Sequence, residues 1–383
     1  MSTIKVTNIE HGSTTDGGIQ LDSSGHVTID GQQLPTAGPL SNRNMIINGA
    51  MQLSQRSTSA TSVNSNGYHA LDRYRMSING WTITMAQSTD APAGFSNSLK
   101  VDVTTANSSP SSGDYLVITT RIEGQDLQHL AFGDSEAKET TISFWVKSNK
   151  TGNASFNARQ SDNSDKLFSA QYSISSADTW EHKTISIPAD TSGVINNDTG
   201  NGIQLEWWLD SGSTYTGGSH AATWVTNDHS NRNSTNLGVG GSTDDEFYIT
   251  GIQWEVGEKA TPFEHRSYGD ELVKCQRYYE KSYNQDTDPG TVTVRGAFQS
   301  RDGTASTVVR YYPVIYRVTK RANPSIVIYI PDTGNSGSLR MDSSNADAAI
   351  SGNGDANTMV YSDDSGIPNH YGVSFHYTIE SEL

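Results

Sequence analysis

The stretch RYRMSINGWTITMAQ, residues 73–87, has the alternating pattern that decides the predicted fold. On both sides of a central Asn-Gly pair, apolar side chains alternate with polar ones: Met76, Ile78, Trp81 and Ile83. A period of two is typical of a strand that buries one face, and Asn79-Gly80 between two such runs is a strong hairpin signal. The stretch therefore predicts two antiparallel strands joined by a tight turn.

Similar segments recur at intervals of roughly 10 to 20 residues from Leu40 to about Arg266. They are SLKVDVTT, DYLVITTRIEG, TTISFWVKSN, ASFNARQS, LFSAQYSIS, WEHKTISIP, IQLEWWLDSG, ATWVTN and EFYITGIQWEV. Only 33% of the residues are hydrophobic and 35 are glycine, which is a turn-rich, all-β profile. No fixed period appears, so a parallel β-helix or a propeller is disfavoured. The pattern predicts an antiparallel β-sandwich of the jelly-roll type.

Two further regions flank this predicted sandwich. The runs after it, TVTVRGAFQS, STVVRYYPVIYRV, PSIVIYIPD, NTMVYSD and YGVSFHYTIES, predict a smaller β domain. Before it, the pieces IKVTNI, GIQL and HVTID are too short to bury a core alone, and LPTAGPL is typical of an extended linker. The apolar content is low for a folded chain of 383 residues, so we expect an obligate oligomer.

Composition excludes several classes of function. A single cysteine excludes an intrachain disulfide framework and a cysteine-based zinc site. A net charge of −16 disfavours a general nucleic-acid binder. No secretory signal or run of about 18 apolar residues is found, so we expect synthesis in a cytosol and no membrane insertion.

One basic band interrupts the acidic chain between residues 291 and 325. Its cations are Arg295, Arg301, Arg310, Arg317, Lys320 and Arg321. Charge runs are usually solvated or paired, so pairing with acidic neighbours is the favoured interpretation. Contact with an anionic surface is the alternative.

The segment GIQWEVGEKATPFEHRSYGDELVKCQRYY, residues 251–279, combines the only cysteine with a histidine and several carboxylates. Ser267 with Asp270 forms a capping box, which predicts a helix. Its buried face would carry Leu272, Cys275, Gln276 and Tyr279. A cysteine on such a stripe behaves as a small apolar residue, and His265 just before the cap is expected to cap or pack rather than act as a base.

The strand before this helix carries a polar pair. A strict period of two in FYITGIQWEVG places Phe247, Ile249, Gln253 and Glu255 on one face. If that face is the core, the two polar side chains must have hydrogen-bond partners. We interpret them as a structural pair that fastens a loop, with a role in acid–base catalysis as the alternative.

No nucleotide-binding, metal-binding or hydrolase motif is present, so no catalytic, cofactor or metal site is predicted. The aromatic residues of QLEWWLDSGSTYTGGSHAATWV, residues 204–225, are the better functional indication. Adjacent indoles of one strand point to opposite faces, so one is expected in the core and the other at a surface where a sugar ring could stack. The alternative is that loops or another subunit cover both. The candidate glycan contacts are Trp207, Trp208, Asp210, Tyr215, His220 and Trp224.

Three motifs carry a resemblance to a known family. LSNRNMIINGAMQLSQRS at residues 40–57, HALDRY at 69–74 and GIQWEVGEKATPFEHRSYGDELVKCQRYYEKSY at 251–283 resemble, in this order, tail-fibre and receptor-binding proteins of tailed bacteriophages. The N-terminal KVTNIEHGSTTDGGIQLDSSGHVTIDG is similar to virion-anchoring segments of such fibres, and YYPVIYRVTKRANPSIVIY to a strand pair of their tip domains. The resemblance implies a jelly roll like that of carbohydrate-binding modules, and a homotrimer.

We therefore expect a virion fibre protein with four parts: an attachment and trimerising segment, residues 1–39; a jelly-roll domain, 40–266; a connecting helix, 267–284; and a β tip domain, 285–383. After synthesis in the host cytoplasm it would join the virion, contact other virion proteins through its N-terminus and bind host-surface glycan without enzymatic activity. One alternative is a purely structural collar, baseplate or head-fibre component. The other is a tailspike-like depolymerase, for which Glu206, Asp210 and Glu255 are the candidate carboxylates.

Overall fold

The structure is a computed structural model of the chain. It describes residues 8–9, 18–21, 27–29, 32–33, 41–162, 165–306, 310–342, 344–362 and 370–383. The predicted linker LPTAGPL lies outside the described residues. Three short strands fall inside the predicted N-terminal pieces: β1 (Asn8–Ile9), β2 (Ile19–Leu21) and β3 (Val27–Ile29). A fourth strand that was not predicted, β4 (Gln32–Gln33), completes an antiparallel meander.

Two antiparallel sheets form a β-sandwich, as predicted. The strands of the first sheet, in spatial order, are β13 (Glu181–Ile187), β10 (Thr140–Ser148), β16 (Glu246–Val256), β8 (Ser98–Thr105), β7 (Thr82–Ser88) and β5 (Ser59–Val63). Those of the second sheet are β15 (Val225–Thr226), β12 (Lys166–Ile174), β11 (Gly152–Gln160), β14 (Asn201–Ser211), β9 (Tyr115–Glu123) and β6 (Arg75–Asn79). Two 3₁₀ helices, Gly124–Leu130 and His229–Asn231, lie in the connections.

Aromatic side chains from both sheets fill the space between them. Phe144 of the first sheet contacts Trp207 and Tyr172 of the second, with ring centroids 5.8 Å and 5.2 Å apart. Phe156 adds a third ring, 5.4 Å from Trp207. All four side chains are buried, so the apolar face that each strand's alternation defines is the face that packs.

The predicted hairpin at Asn79-Gly80 is wrong in its pairing. Strand β6 pairs with β9 in the second sheet, whereas β7 pairs with β5 and β8 in the first. The turn is therefore an arch between sheets. Gly80 has a φ of +98°, and the Asn79 side chain donates a 2.8 Å hydrogen bond to Asp114 beneath the arch. Alternation predicts which residues face the core, and an arch satisfies that pattern as well as a hairpin does.

The predicted faces of β16 are wrong beyond Gly251. Here φ is +61°, and the register with β10 shifts between Ser143 and Trp145, which is a β-bulge. The extra residue moves the following side chains to the other face, so Ile252 and Trp254 join the core. Gln253 and Glu255 consequently lie on the outer face of the first sheet, where the loop after β16 buries them.

The helix, α1, spans Tyr268–Gln276 and is shorter than predicted. The Ser267 hydroxyl accepts the backbone N–H of Asp270, which confirms the cap. Tyr279, predicted on the helix, instead begins strand β17 (Tyr279–Lys281), whose partner is the final strand β25 (His370–Glu380). Backbone pairing with β25 supplies hydrogen bonds that further helical turns would have to break.

The C-terminal region has its own hydrophobic cluster, built on Phe375, Ile379, Leu339 and Val360. Its remaining strands are β18 (Phe298–Ser306), β19 (Tyr311–Ile315), β20 (Ser325–Tyr329), β21 (Ser338–Met341), β22 (Ser344–Asp347), β23 (Ala349–Ser351) and β24 (Asn357–Tyr361). The predicted TVTV strand is absent among the described residues, because Val292 and Val294 are exposed in a turn-rich connection.

Candidate functional site

The outer face of the second sheet carries a groove of about 250 Å³, which we call the outer groove. Three neighbouring strands supply its floor, because the side chains that alternate with the core residues point outward. The loop after β14 supplies one wall. Its lining residues are Asn66, Arg75, Ser77, Tyr115, Val117, Thr119, Gln204, Glu206, Trp208, Tyr215 and Arg232.

A buried carboxylate organises the floor of the outer groove. Glu206 has no exposed surface, and Arg232 pairs with its Oε1. Its Oε2 accepts hydrogen bonds from Trp208 Nε1, at 2.8 Å, and from Asn157 Nδ2, at 3.3 Å. Gln204 Nε2 donates a further bond of 2.5 Å to Oε1. Both carboxylate oxygens are thereby engaged, which fixes the positions of the surrounding side chains.

The ionisation of Glu206 follows from these contacts. Burial alone would raise the pKa of this carboxyl group. The charge of Arg232, together with hydrogen bonds from Arg232, Trp208 and Asn157, outweighs burial and holds the pKa below its usual value. The group is therefore an anion at neutral pH, matched by one guanidinium.

Three aromatic rings line the outer groove: Trp208 and Tyr115 from the floor strands, and Tyr215 from the loop that forms the wall. Tyr215 packs on Trp208 at 5.0 Å and meets Tyr115 edge to face at 6.1 Å. The Arg232 guanidinium lies 5.0 Å from the Trp208 ring, which is only 1% exposed. Tyr115 and Tyr215 are half-buried, so they, rather than the indole, present ring surface to the groove.

The six predicted glycan contacts separate into two groups. Trp208 and Tyr215 line the outer groove, and their contact with a glycan stays a prediction. Trp207 is fully buried against Phe144 and Phe156, which leaves no surface for a ligand and corrects the expectation for this residue. The alternative that both indoles are covered is confirmed, since a loop and Arg232 cover Trp208.

The other three predicted residues lie outside the groove lining. Asp210 accepts hydrogen bonds from Asn236 Nδ2 and the Ser211 amide, both at 2.8 Å, and burial raises its pKa. His220 contacts the Thr235 hydroxyl at 3.0 Å, and burial lowers its pKa. The Trp224 indole donates to the Pro188 carbonyl at 2.7 Å and packs on Phe132. Each of the three side chains thus has a partner within the protein, and contact of these residues with a glycan stays a prediction.

Sequence reasoning missed most of the groove. Arg75, Tyr115, Gln204 and Arg232 are not among the predicted site residues, although the first three occupy polar positions of alternating strands. That alternation is the available signal. It shows that a side chain faces outward, but it does not show which strands become neighbours.

The segment 251–279 contains structural contacts rather than a reactive cluster. Glu255 accepts the Thr261 amide at 2.9 Å and hydroxyl at 2.6 Å, and Gln253 accepts the Glu264 amide at 2.7 Å. The pair therefore fastens the loop after β16, as interpreted. His265 packs on aromatic rings 4.8 Å and 5.3 Å away.

Cys275 is also structural. Its side chain is 1% exposed on the buried face of α1. Burial, reinforced by nearby Asp72 and Glu271, raises the pKa of the thiol well above its usual value. A reactive cysteine needs an exposed, electropositive setting, which this position lacks.

The three sequence motifs meet at one buried junction. In the first motif, the backbone N–H of Asn48 donates a 2.6 Å hydrogen bond to the carboxylate of Glu271 in α1. The side-chain Nδ2 of Asn48 donates a 3.0 Å hydrogen bond to the backbone carbonyl of Asp72 in HALDRY. Gln55 Nε2 links the Asp72 carboxylate, at 2.8 Å, to the Tyr279 carbonyl, at 2.9 Å. The motif residues thus join the sandwich to the helix and the C-terminal region.

Part of the basic band also belongs to this junction. Lys320 and Glu280 form a fully buried ion pair at 2.6 Å. Arg317 donates to the Lys281 carbonyl at 2.9 Å, and Arg321 donates to the carbonyls of Ser381 and Thr199. Pairing with an acidic neighbour is therefore confirmed for Lys320, whereas the Arg317 and Arg321 side chains bind backbone carbonyl groups. Arg295 and Arg301 are exposed.

Two features are absent from the described residues. Among them, no helix is long and apolar enough to cross a membrane. No group of three or more His, Cys, Asp or Glu side chains within the described ranges could hold a metal ion.

No protein-family model matches the chain, and a search of curated proteins found no match. The similar solved structures include carbohydrate-binding modules and a phage tailspike domain. The enzymatically active domain of tailspike protein 4 from bacteriophage CBA120 is 14% identical, with a TM-score of 0.31, over 56% of this chain and 21% of that one. The match therefore spans about a fifth of the tailspike domain.

Two carbohydrate-binding modules match over nearly their whole length. The family 11 module of the cellulosomal cellulase Lic26A-Cel5E of Clostridium thermocellum is 14% identical, with a TM-score of 0.27, over 52% of this chain and 99% of the module. TmCBM61, solved with β-1,4-galactotriose, is 8% identical, with a TM-score of 0.29, over 57% of this chain and 100% of the module. Similarity at this level assigns neither ligand nor activity, and the sandwich is defined by its own strand pairing.

Proposed function

We propose that the protein is a fibre protein of a bacteriophage virion, and that it binds host-surface glycan in the outer groove. The observation that carries glycan binding is the groove itself, a concave surface built on rigid strands around the fully buried Glu206. A ligand site needs convergent polar groups held in place by their own contacts, and this floor supplies them.

The chemistry of the outer groove suits a sugar. Asn66, Ser77 and Gln204 offer hydrogen-bond donors and acceptors, and Tyr115 and Tyr215 offer aromatic surface. A pyranose has an apolar ring face for stacking and hydroxyl groups around its rim. The half-buried tyrosines and the polar floor would meet those two parts.

The virion role is supported by the ordered motifs and by the junction they form. Residues 40–57, 69–74 and 251–283 resemble phage fibre proteins, and Asn48, Asp72 and Glu271 place them in one hydrogen-bonded unit. We propose a homotrimer attached to other virion proteins through residues 1–39, with residues 285–383 as the tip. Three sites on one rigid assembly would raise avidity far beyond a single site.

We propose that the protein binds glycan without cleaving it. Glycoside hydrolysis needs two carboxyl groups within about 10 Å on either side of one bond. Glu206 forms an ion pair with Arg232. Glu255 lies on the outer face of the other sheet, where it accepts a hydrogen bond from Thr261, so the two carboxylates do not face one groove. Incubation with bacterial surface polysaccharide is expected to release no new reducing ends.

A glycan array tests the binding proposal directly. The array should display bacterial capsular and lipopolysaccharide oligosaccharides, and the proteins are the wild type, Tyr215→Ala and Tyr311→Ala. We expect binding by the wild type and at least about fivefold weaker binding by Tyr215→Ala, since stacked rings contribute on the order of 1 kcal/mol or more. Tyr311, 56% exposed in the C-terminal region, provides the matched control.

The results separate the alternatives. Loss of binding in Tyr311→Ala with normal binding by Tyr215→Ala would place the site in the C-terminal region instead. If the wild type binds neither the array nor host cells, a purely structural virion component remains. Light scattering tests the assembly: three times 41.5 kDa supports the trimer, and a mass near 41.5 kDa contradicts it.

A further inference from the structure

Arg75 occupies one end of a row of side chains across the floor of the outer groove. Strand pairing places Arg75 opposite Thr119, Thr119 opposite Glu206, and Glu206 opposite Asn157. Neighbouring strands are roughly 5 Å apart, so Arg75 lies roughly 10 Å from Glu206 at the backbone. The row presents a cation at one side of the groove and the neutralised carboxylate in the middle.

The charges of the groove do not cancel. Glu206 is paired with Arg232, which leaves Arg75 as the remaining charged lining residue. Within the described part of the chain, the contact of the Arg75 guanidinium is with the Ser77 hydroxyl, and it makes no ion pair. Arg121, a charged neighbour, is also a cation and is bound to Gln204 and the Leu383 carbonyl.

The surroundings of Arg75 disfavour its charge. Burial, and then the charge of Arg121, lower the pKa of this guanidinium, although an arginine still carries its proton at neutral pH. The nearby titratable groups are phenols, Tyr68 and Tyr115, rather than carboxylates. The N–H donors of a half-buried guanidinium that are not already bonded could donate hydrogen bonds to an incoming anion, whose charge would balance that of the arginine.

We propose that the outer groove selects acidic glycans, with Arg75 binding the carboxylate of a uronic acid while Tyr115 and Tyr215 contact the sugar rings. This inference rests on the proposed glycan-binding function and names its substrate class. A planar guanidinium can give two parallel N–H donors to a carboxylate. A neutral sugar would leave the cation without a counter-charge.

The test uses capsular polysaccharides that contain uronic acid, each beside its carboxyl-reduced form, in which the same residues are neutral hexoses. Binding is measured for the wild type, Arg75→Gln, Arg75→Lys and Arg295→Gln. The last variant removes the same charge from an exposed position outside the groove. Unfolding midpoints for all four proteins identify any variant that fails to fold.

The wild type is expected to bind native polysaccharide at least about tenfold more tightly than the reduced form, since a charged hydrogen bond contributes about that much. Arg75→Gln should lose this preference, Arg75→Lys should keep part of it, and Arg295→Gln should match the wild type. Equal binding of both forms by the wild type, or an unchanged preference in a folded Arg75→Gln protein, would overturn the inference and leave glycan binding intact. Binding of neither form by the wild type would instead count against the proposed function.

Discussion

Trp208 Nε1 donates a 2.8 Å hydrogen bond to Oε2 of Glu206, two residues earlier on the same face of β14. The indole is thereby held over the floor of the outer groove, where Arg232 and Tyr215 cover it. One buried carboxylate thus positions both an aromatic wall and a cation. The arrangement makes the stability of the sheet depend on a residue that also shapes the candidate ligand site.

Glu206→Gln is expected to reduce the free energy of unfolding by about 3 kcal/mol at neutral pH, because it leaves Arg232 without its anion in a buried position. Denaturant unfolding monitored by tryptophan fluorescence measures the change. Glu136→Gln, at an exposed position of the same domain, should change the free energy of unfolding by less than about 0.5 kcal/mol. Equal stability of the two variants would show that the Glu206 network does not stabilise the fold.

The arch at Gly80 gives a second prediction. A Cβ on Gly80 would lie 2.6 Å from Cγ of Asp114, whose carboxylate is held by Asn79 and the Ser111 amide. Positive φ costs an alanine about 1 kcal/mol, and the forced contact adds about 2 kcal/mol, so Gly80→Ala should destabilise by about 3 kcal/mol.

Gly94 supplies a matched control for this substitution. Its φ of +93° is nearly the same as that of Gly80, but a Cβ added to Gly94 would have no atom within 4 Å. Gly94→Ala should therefore show the conformational cost alone, about 1 kcal/mol. Identical thermal unfolding midpoints for the two variants would contradict the packed arch.

Two local signals are enough to predict the β-sandwich and the start of α1: the alternation of apolar and polar residues along each strand, and the capping box before the helix. The Ser267 cap and the core positions of β6 and β7 follow from neighbours in sequence. The arch at Gly80 and the bulge at Gly251 are not predictable in this way, since both depend on packing against residues from other strands: Asp114 beside Gly80, and Phe95 and Trp145 beside Gly251.

The candidate site is predictable only in part for the same reason. Trp208 and Tyr215 lie in one continuous aromatic stretch, which makes them visible in the sequence. Arg75 comes from β6, far from β14 in sequence, and reaches the groove because β9 lies between the two strands. Strand order depends on long-range pairing, which composition and period do not specify.

Cys275→Ser is expected to lower the free energy of unfolding by about 2 kcal/mol, because it buries a hydroxyl group, which needs hydrogen-bond partners, where a weakly polar thiol now lies. Glycan binding should be unchanged, since Cys275 is not among the residues that line the outer groove. In the native wild type the thiol should not react with a disulfide reagent at about pH 8, and it should react after denaturation. A protein of normal stability that had lost binding would contradict the structural role.

The junction gives a prediction that depends on pH. Glu123, at the end of β9, accepts bonds of 2.7 Å and 2.8 Å from Arg277 and one of 2.5 Å from the Tyr278 hydroxyl. Burial would raise the pKa of Glu123, but these hydrogen bonds and the charges of Arg277 and Arg73 hold it below its usual value. A carboxyl group with a lowered pKa in the folded state stabilises that state above its unfolded pKa, and the contribution is lost as the pH falls through the folded value.

Glu123→Gln should therefore destabilise the protein by about 2 kcal/mol at pH 7, because Arg277 loses its anion. The difference from the wild type should persist down to about pH 4.5 and then shrink as Glu123 of the folded wild type takes up its proton. Denaturant unfolding of both proteins at pH 7, 5 and 3 measures this difference, with Glu258→Gln as the exposed control. A difference that stays constant down to pH 3, or grows as the pH falls, would show that the Arg277 and Tyr278 contacts do not favour the ionised form of Glu123.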